Sequence, residues 1–438
     1  MRRAALTSLF IAAAIVWPTA ASAATTSRVS VIKVEGAIDR PLLGYVNDAL
    51  DRAERDGAIV VLQLDTSGTL NEDGVALADR VAALSVPVIA WVGPAPAKAS
   101  GAGLLLMYAS SLAAVSPGSQ TGPRDPIDLA HPEDVPPGID AKIEGWIAAR
   151  GKQTDLDWID RPLTAAEARH LDIAQVAAAS IPGLLDRIDG TTVQTPGGPV
   201  VLRTRVATTE AEAQTGTVDI RFDNMGPIKR VAHAVSSPTM VYVLLTMGLA
   251  ALAFELTQPG FGFAGFAGLF LLALAAYGMT VVPVSWPGFL LLLGGVGCMV
   301  LDVRLRRLGP LTAMGLAAFA AGSFLAWGGL AEAIRISPWL IVGAVVASLL
   351  YYGFALTVAL QSRDRIVSTQ RGLIGLVGEA RGALAPDGPV YVKGALWRGR
   401  TAGERIEAGT AVRVRAVDGL ILRVEAERAD PDGGASEA

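Results

Sequence analysis

Ile59-Val60-Val61-Leu62-Gln63-Leu64-Asp65-Thr66-Ser67-Gly68-Thr69 decides the architecture of the first half of the chain. A nearly unbroken apolar run that ends in a polar, glycine-bearing turn reads as a strand buried on both faces, the habit of parallel sheets. Working outward, residues 29–34 and 86–92 repeat this pattern, while 41–57, 71–85 and 101–112 carry helical spacing. In 71–85, Val75, Leu77, Ala78, Val81 and Leu84 form one apolar side, and Glu72, Asp73, Asp79 and Arg80 stay wet. Strand and helix therefore alternate, which predicts an α/β domain with a largely parallel sheet covered on both faces. Ligands in such sheets gather beyond the carboxyl ends of the strands, so the loops at Asp65-Thr66-Ser67-Gly68 and Val92-Gly93-Pro94 are where a site is expected.

The second loop runs on through Lys98-Ala99-Ser100-Gly101-Ala102-Gly103 into an apolar helix. Small residues let a ligand approach the backbone, and free N–H groups at a helix start can hold developing negative charge. Ser100 is a candidate nucleophile. No histidine stands near it in sequence, so its base would be a lysine of lowered pKa, with Lys98 and Lys142 as the candidates. The competing reading is that Ser100 only caps the helix.

Composition tilts the chain toward lipid: 51% of its 438 residues are hydrophobic and 18% charged, and the mean hydropathy is +0.43. A net charge of -4 without a basic stripe argues against nucleic acid. The single cysteine, Cys298, lies in an apolar run and allows no intrachain disulfide. His131, His170 and His233 are far apart in sequence and offer no metal-ligand spacing, so no metal and no cofactor is expected.

Residues 1–23 read as a secretory signal, with Arg2 and Arg3 before an apolar stretch and Ala21-Ser22-Ala23 at the cleavage site; an uncleaved anchor is the alternative. Either way the next residues start on the outer side of the membrane. Apolar segments near 240–256, 261–284, 288–303, 311–330 and 338–360 predict about five spans within 239–361. An odd count puts the C-terminus in the cytoplasm. Arg304, Arg306 and Arg307 after the third span and Arg363, Arg365 and Arg371 after the fifth agree with it, while Lys229, Arg230 and Arg335 run against it. Glu255 at the end of the first span is either an intramembrane functional group or an interfacial one.

Residues 194–238 read as a linker or stalk, with short strands near 200–206 and 217–222. In 370–425, strands expected at 372–377, 389–392, 396–400, 411–417 and 420–424 suit an all-β, five-stranded OB-like barrel, and 426–438 reads as a disordered tail. Single-strand binding by such a barrel needs a basic groove with exposed aromatics. Only Tyr391 and Trp397 are available, and Glu404, Glu407 and Asp418 oppose the arginines, so protein contact is the better expectation.

Several motifs together resemble the NfeD family of membrane proteins: Val34-Glu35-Gly36-Ala37-Ile38-Asp39, Leu64-Asp65-Thr66, Ser116-Pro117-Gly118-Ser119-Gln120-Thr121-Gly122-Pro123, Leu163-Thr164-Ala165-Ala166-Glu167-Ala168 and Phe254-Glu255-Leu256-Thr257-Gln258-Pro259-Gly260-Phe261-Gly262. Gly375-Leu376-Val377-Gly378-Glu379-Ala380 and Val414-Arg415-Ala416-Val417-Asp418-Gly419-Leu420 extend the resemblance to the C-terminal part. The resemblance implies a ClpP/crotonase-like outer domain over 24–193, an all-α transmembrane bundle, the OB-like barrel, and a stomatin- or flotillin-type membrane partner. It also implies a serine nucleophile in an Ala-Ala-Ser-Ala-Gly turn, a lysine base, and an Asp-Thr-Pro-Gly-Gly oxyanion loop. Aligned without gaps from Ser116-Pro117-Gly118, the nucleophile position falls on Gly101, with Ser100 one residue early. Lys142 matches the base. Gly68, Thr69 and Gly101 fall at the oxyanion and substrate-binding positions, Thr69 replacing a glycine.

Two functions follow as expectations: an NfeD-like protein acting with a stomatin- or flotillin-type partner in membrane organisation or quality control, its outer domain degenerate, or an active Ser-Lys endopeptidase cleaving apolar segments. Both place the protein in the inner membrane as a homo-oligomer. Reporter fusions after residues 235 and 370 are expected to report opposite compartments; finding both on one side would remove the five-crossing topology.

Overall fold

Adjacent side chains of one strand enter different cores, and this organises the first half of the molecule. The computed structural model describes residues 27–151, 156–205, 218–256, 262–305, 309–355 and 371–427; the expected signal peptide and all but the first two residues of the expected tail lie outside them. The α/β part runs β1 (Arg28–Glu35), α1 (Arg40–Asp56), β2 (Ile59–Asp65), α2 (Gly74–Ala83), β3 (Val88–Val92), β4 (Lys98–Ala99), α3 (Ala102–Ala109), β5 (Leu112–Val115) and β6 (Gln120–Thr121). It continues with α4 (Ile139–Ala149), β7 (Leu163–Thr164), α5 (Ala165–His170), β8 (Val176–Ala177), α6 (Ile181–Ile188), β9 (Thr192–Thr195), β10 (Gly198–Val201), β11 (Asp219–Asp223) and α7 (Pro227–Val235).

The main sheet has the order β11-β1-β2-β3-β5-β8 and is parallel throughout. Val60, Leu62 and Leu64 of β2 join the core that holds residues of α1 to α4, whereas Ile59 and Val61 join Trp91 and the Leu184, Leu185 and Ile188 side of α6. Burial on both faces explains why these strands read as continuous apolar runs. The side chain of Asp39 caps α1 by accepting from Leu42 N at 2.9 Å, Pro41 opens the helix, and Gly57 ends it in the left-handed region.

Within 194–238, expected as a linker or stalk with short strands, the described strand β11 joins the main sheet. β11 pairs in parallel with β1, and the buried Asp223 accepts from Ser30 Oγ at 2.6 Å and Arg52 Nη2 at 3.1 Å. An edge strand with one open face carries enough polar residues to pass for a linker. α7 then docks on α1 through Lys229 with Asp48 (2.6 Å) and His233 Nδ1 with Asp39 Oδ2 (2.8 Å).

Five apolar helices follow: α8 (Pro238–Glu255), α9 (Phe263–Met279), α10 (Trp286–Arg304), α11 (Pro310–Ala326) and α12 (Pro338–Leu350), the last extended by a π turn at Tyr351–Ala355. Three apolar helical segments, Pro238–Glu255, Trp286–Arg304 and Glu332–Phe354, are long enough by themselves to cross a bilayer. α9 and α11 have 17 residues each, shorter than the expected 261–284 and 311–330. Pro283 and the pair Gly328-Gly329 stop them early. Where α10 and α11 approach, a Cβ on Gly295 would lie 2.6 Å from Gly315 O, so only glycine permits that spacing.

Of the two readings of Glu255, the structure supports a terminal, helix-capping place. Its carboxylate accepts from Gly262 N and, at 2.8 Å, from Gly265 N, at the start of α9. Asp302 does the same for α11, accepting from Gly309 N (2.8 Å), Thr312 N (2.9 Å) and Thr312 Oγ1 (2.6 Å).

By contacts the chain divides into two units, Met1–Gly248 with Leu269–Phe289 and Ser323–Pro338, and Leu249–Gly268 with Leu290–Gly322 and Trp339–Ala438. The second includes a closed barrel of β12 (Val377–Ala380), β13 (Asp387–Val392), β14 (Ala395–Thr401), β15 (Ala411–Asp418) and β16 (Ile421–Ala426), ordered β12-β13-β14-β16-β15 around Val390, Val392, Val412, Val414, Leu422 and Val424. Its first strand starts at Val377 rather than 372. Residues Arg371–Leu373 make a 3₁₀ turn, and Gly375, at φ 89°, bends the chain before the strand can begin.

The α7–α1 contact carries a pH dependence. The bond to Asp39 raises the His233 pKa above its ordinary value, against the opposing effect of burial, with help from Glu35. A raised folded-state value means that the stabilisation is complete below the unfolded value of about 6.5 and disappears as pH rises through the folded value. In denaturant titrations of the full chain, His233→Gln is expected to lower the midpoint most near pH 6 and progressively less toward pH 9. A gap independent of pH would refute this.

Candidate functional site

The turns after β2 and β3 are joined by backbone bonds. Thr66 N donates to Lys98 O (2.8 Å), Ser100 N donates to Thr66 O (3.1 Å), and the Asp65 carboxylate accepts from Lys98 N (3.0 Å). Parallel pairing of Thr66 with Ala99 follows from these bonds. Ser100, Gly101 and Gly68 are thereby brought together at the carboxyl ends of the strands, where the sequence places the site.

Gly101 caps α3 at φ 55° and ψ −127°, a sharp strand-to-helix turn of the type that presents a nucleophile in hydrolases but strains any residue with a side chain. The space a side chain needs is full. A Cβ there would collide with Pro126 O and lie 2.8 Å from Ser67 O and 3.1 Å from Gly68 Cα. Ser100, one residue earlier, is half-buried, and its carbonyl accepts from Gly103 N at 2.9 Å.

The amides of the expected oxyanion loop are engaged internally. Gly68 N donates to Thr66 Oγ1 at 3.4 Å, and Thr69 N donates to Ile127 O at 2.8 Å. Thr69 Oγ1 reaches the same carbonyl at 3.1 Å, and Leu129 N returns a bond to Thr69 O at 2.8 Å. Asp128 therefore pairs with Thr69 in a single parallel bridge, with Ile127 and Leu129 buried and Asp128 Oδ1 accepting from Asn71 N at 2.9 Å. An amide that already donates to a backbone carbonyl is not available to an oxyanion.

Lys142 and Lys98 take other places. Lys142, on α4, directs its ammonium to the Asp79 carboxylate of α2, both side chains being nearly half-exposed. Lys98 joins the backbone ladder with its side chain exposed. The segment that covers the turn was missed in the sequence, although Ile127-Asp128-Leu129 alternates like a short strand between Pro126 and Pro132. It is anchored upstream by Arg124, whose guanidinium meets Asp125 at 2.9 Å, Asp160 at 3.1 Å and Asp140. Burial acts to lower the Arg124 pKa, but the bond to Asp125 and the surrounding carboxylates prevail and raise it. Among the described residues no group of three His, Cys, Asp or Glu side chains could hold a metal ion.

Residues 239–357 match the family model of the NfeD integral membrane domain, and 370–425 match that of the NfeD-like C-terminal, partner-binding domain. The chain is also 28% identical to the membrane-bound protease PH1510 of Pyrococcus horikoshii over 91% of this chain and 93% of that protein. This chain's transmembrane and C-terminal regions are thus NfeD domains. Membrane protein NfeD1b of Bacillus subtilis is 24% identical to this chain over 89% of it and 91% of the relative. Among solved structures, the 1510-N membrane protease specific for a stomatin homolog from Pyrococcus horikoshii is similar at 20% identity and a TM-score of 0.40, covering 48% of this chain and all of that one. The C-terminal domain of stomatin operon partner protein 1510-C from the same organism is 40% identical, with a TM-score of 0.14, over 14% of this chain and 97% of its own length. The expected order of an α/β domain, apolar helices and a closed five-stranded barrel holds in this chain.

Gly101→Ser is expected to destabilise the outer domain by roughly 1–3 kcal/mol, from strain at positive φ plus the clash with Pro126 O, without creating a nucleophile. Thermal unfolding and a fluorophosphonate probe check this; unchanged stability together with new labelling at residue 101 would refute it.

Proposed function

We propose that this chain is a partner-binding membrane protein whose barrel and spans engage a stomatin- or flotillin-type scaffold in membrane organisation or quality control, and whose outer protease-like domain is closed to catalysis. The observation that carries this reading is the Gly101 turn: it lacks a side chain, and Pro126 O fills the space one would need. Covalent peptide hydrolysis requires a nucleophile within reach of a base and free donors for the oxyanion. Here position 101 has no side chain, the Thr69 amide is committed to Ile127, and Lys142 faces Asp79.

The barrel supports the partner half of the proposal. Val377, Tyr391, Leu396 and Leu420 are exposed apolar or aromatic groups, which suits protein contact. Its arginines are matched by carboxylates, Arg398 and Arg400 with Asp387, Arg413 with Glu427, Arg415 with Glu425 and Arg423 with Asp418, so a basic track for nucleic acid is not formed by them. We place the outer domain outside the cytoplasm, the barrel inside, and the chain in a homo-oligomer.

A second reading is an active endopeptidase with Ser100 as nucleophile and Lys142 as base. It is favoured by the position of Ser100 beside the Gly68 loop and by the name of the Pyrococcus relative, a protease. It requires Lys142 to leave Asp79 and the turn to shift by one residue. Fluorophosphonate labelling of the full chain in nanodiscs separates the two. The first reading expects no labelling of folded protein; labelling lost in both Ser100→Ala and Lys142→Ala would establish the second.

A further inference from the structure

We infer that residues 126–131 form a strap gating the outer cleft, and that the loop between α11 and α12 holds this strap shut, so that the apolar helices control access to the site. The inference rests on reading the outer domain as a peptide-binding, protease-like cleft. Backbone bonds form a continuous path across it. Ile38 N donates to Gly68 O (2.9 Å), Thr69 N donates to Ile127 O, and Leu129 N donates to Thr69 O. Leu129 O in turn accepts from Ala331 N at 3.0 Å. The strap is thus bonded to the cleft through Thr69 and to the α11–α12 loop through Leu129 O.

Both ends of this path are fixed. Ile127, Leu129 and Ala130 are buried on the strap, as are Trp327, Leu330, Ala331 and Ile336 on the loop. Trp327 packs edge-on against Tyr242 of α8 at 5.6 Å, the Tyr242 and Ser323 hydroxyls lie 3.2 Å apart, and Ser285 N, just before α10, donates to Ala326 O at 2.8 Å. A displacement of α8, α10 or α11 therefore reaches Ala331, and through it the strap. Two features suit a clamp that opens. The buried Trp327 indole N–H has no acceptor among the described residues, so the closed arrangement is incompletely satisfied. Beside the strap, a groove of about 610 Å³ lined by His131, Glu133, Asp134, Glu332 and Arg335 gives water a way to the same backbone.

Once the strap leaves, Thr69 exposes one N–H and one C=O on a free strand edge. The ligand class that replaces both bonds is an extended polypeptide segment, added as a strand.

Ala331→Pro tests the clamp with little collateral change. Ala331 has φ −55°, which the proline ring accepts, and proline removes the N–H that holds Leu129 O. In full-length protein in nanodiscs, amide exchange of Thr69 and Leu129 is expected to speed about tenfold while β2 and β3 stay protected. Unchanged exchange at both amides, or an equal increase throughout the sheet, would overturn the clamp. A fluorescein-labelled ten-residue peptide of alternating valine and threonine is expected to bind the variant at least about tenfold more tightly than wild type; equal binding would overturn the gated cleft. The exchange result does not depend on catalysis, so fluorophosphonate labelling of wild type would remove the closed-site reading separately.

Discussion

Val61 and Leu62 are neighbours on β2, yet they pack in different cores, and the rest of the outer domain depends on that alternation. A parallel strand buried on both faces needs helices above and below, and right-handed crossovers place all its carboxyl ends along one edge. The turns carrying Gly68 and Gly101 meet there because β2 and β3 are neighbours in register, Leu64 beside Val92. The site is thus a consequence of sheet packing before it is anything chemical.

That edge is the least satisfied part of a sheet, since turns leave amides and carbonyls without ladder partners. This chain meets the demand with its own backbone. Residues 127–129 take the bonds of Thr69, and Pro126 O enters the space above Gly101. The absence of a side chain at Gly101 and the approach of the strap are therefore one feature. A serine at that turn would need the strap to withdraw, whereas glycine lets the cover sit directly on the backbone.

Much of this was legible. The strands, the amphipathic helices and the shared position of Ser100 and Gly68 follow from periodicity and turn residues. The doubtful register of the nucleophile was visible in Gly101, but its physical meaning was not, because a sequence does not say what fills the room a missing side chain leaves. The strap escaped because three residues of alternation between prolines look like loop. The strand expected near 217–222 exists as β11, but its place at the edge of the main sheet beside β1 was not legible, because its partial apolar signal does not name a partner strand. Glu255 could be read as intramembrane or interfacial until Gly262 and Gly265 were seen as the donors it caps; its bonds join groups whose spacing in sequence, seven and ten residues, gives no periodic signal.

The same bonds set which parts can move. A typical backbone hydrogen bond contributes about 0.5–1.5 kcal/mol net, so the few that tie residues 127–129 to Thr69 and Ala331 sum to an amount that a shift of packed helices can supply. The seven-residue register between β1 and β2, with apolar burial on both faces, is far beyond that reach. Motion originating among the apolar helices should therefore separate the strap from the cleft and leave the sheet intact. The fold confines its weakest ladder to the place where an incoming polypeptide would compete for it.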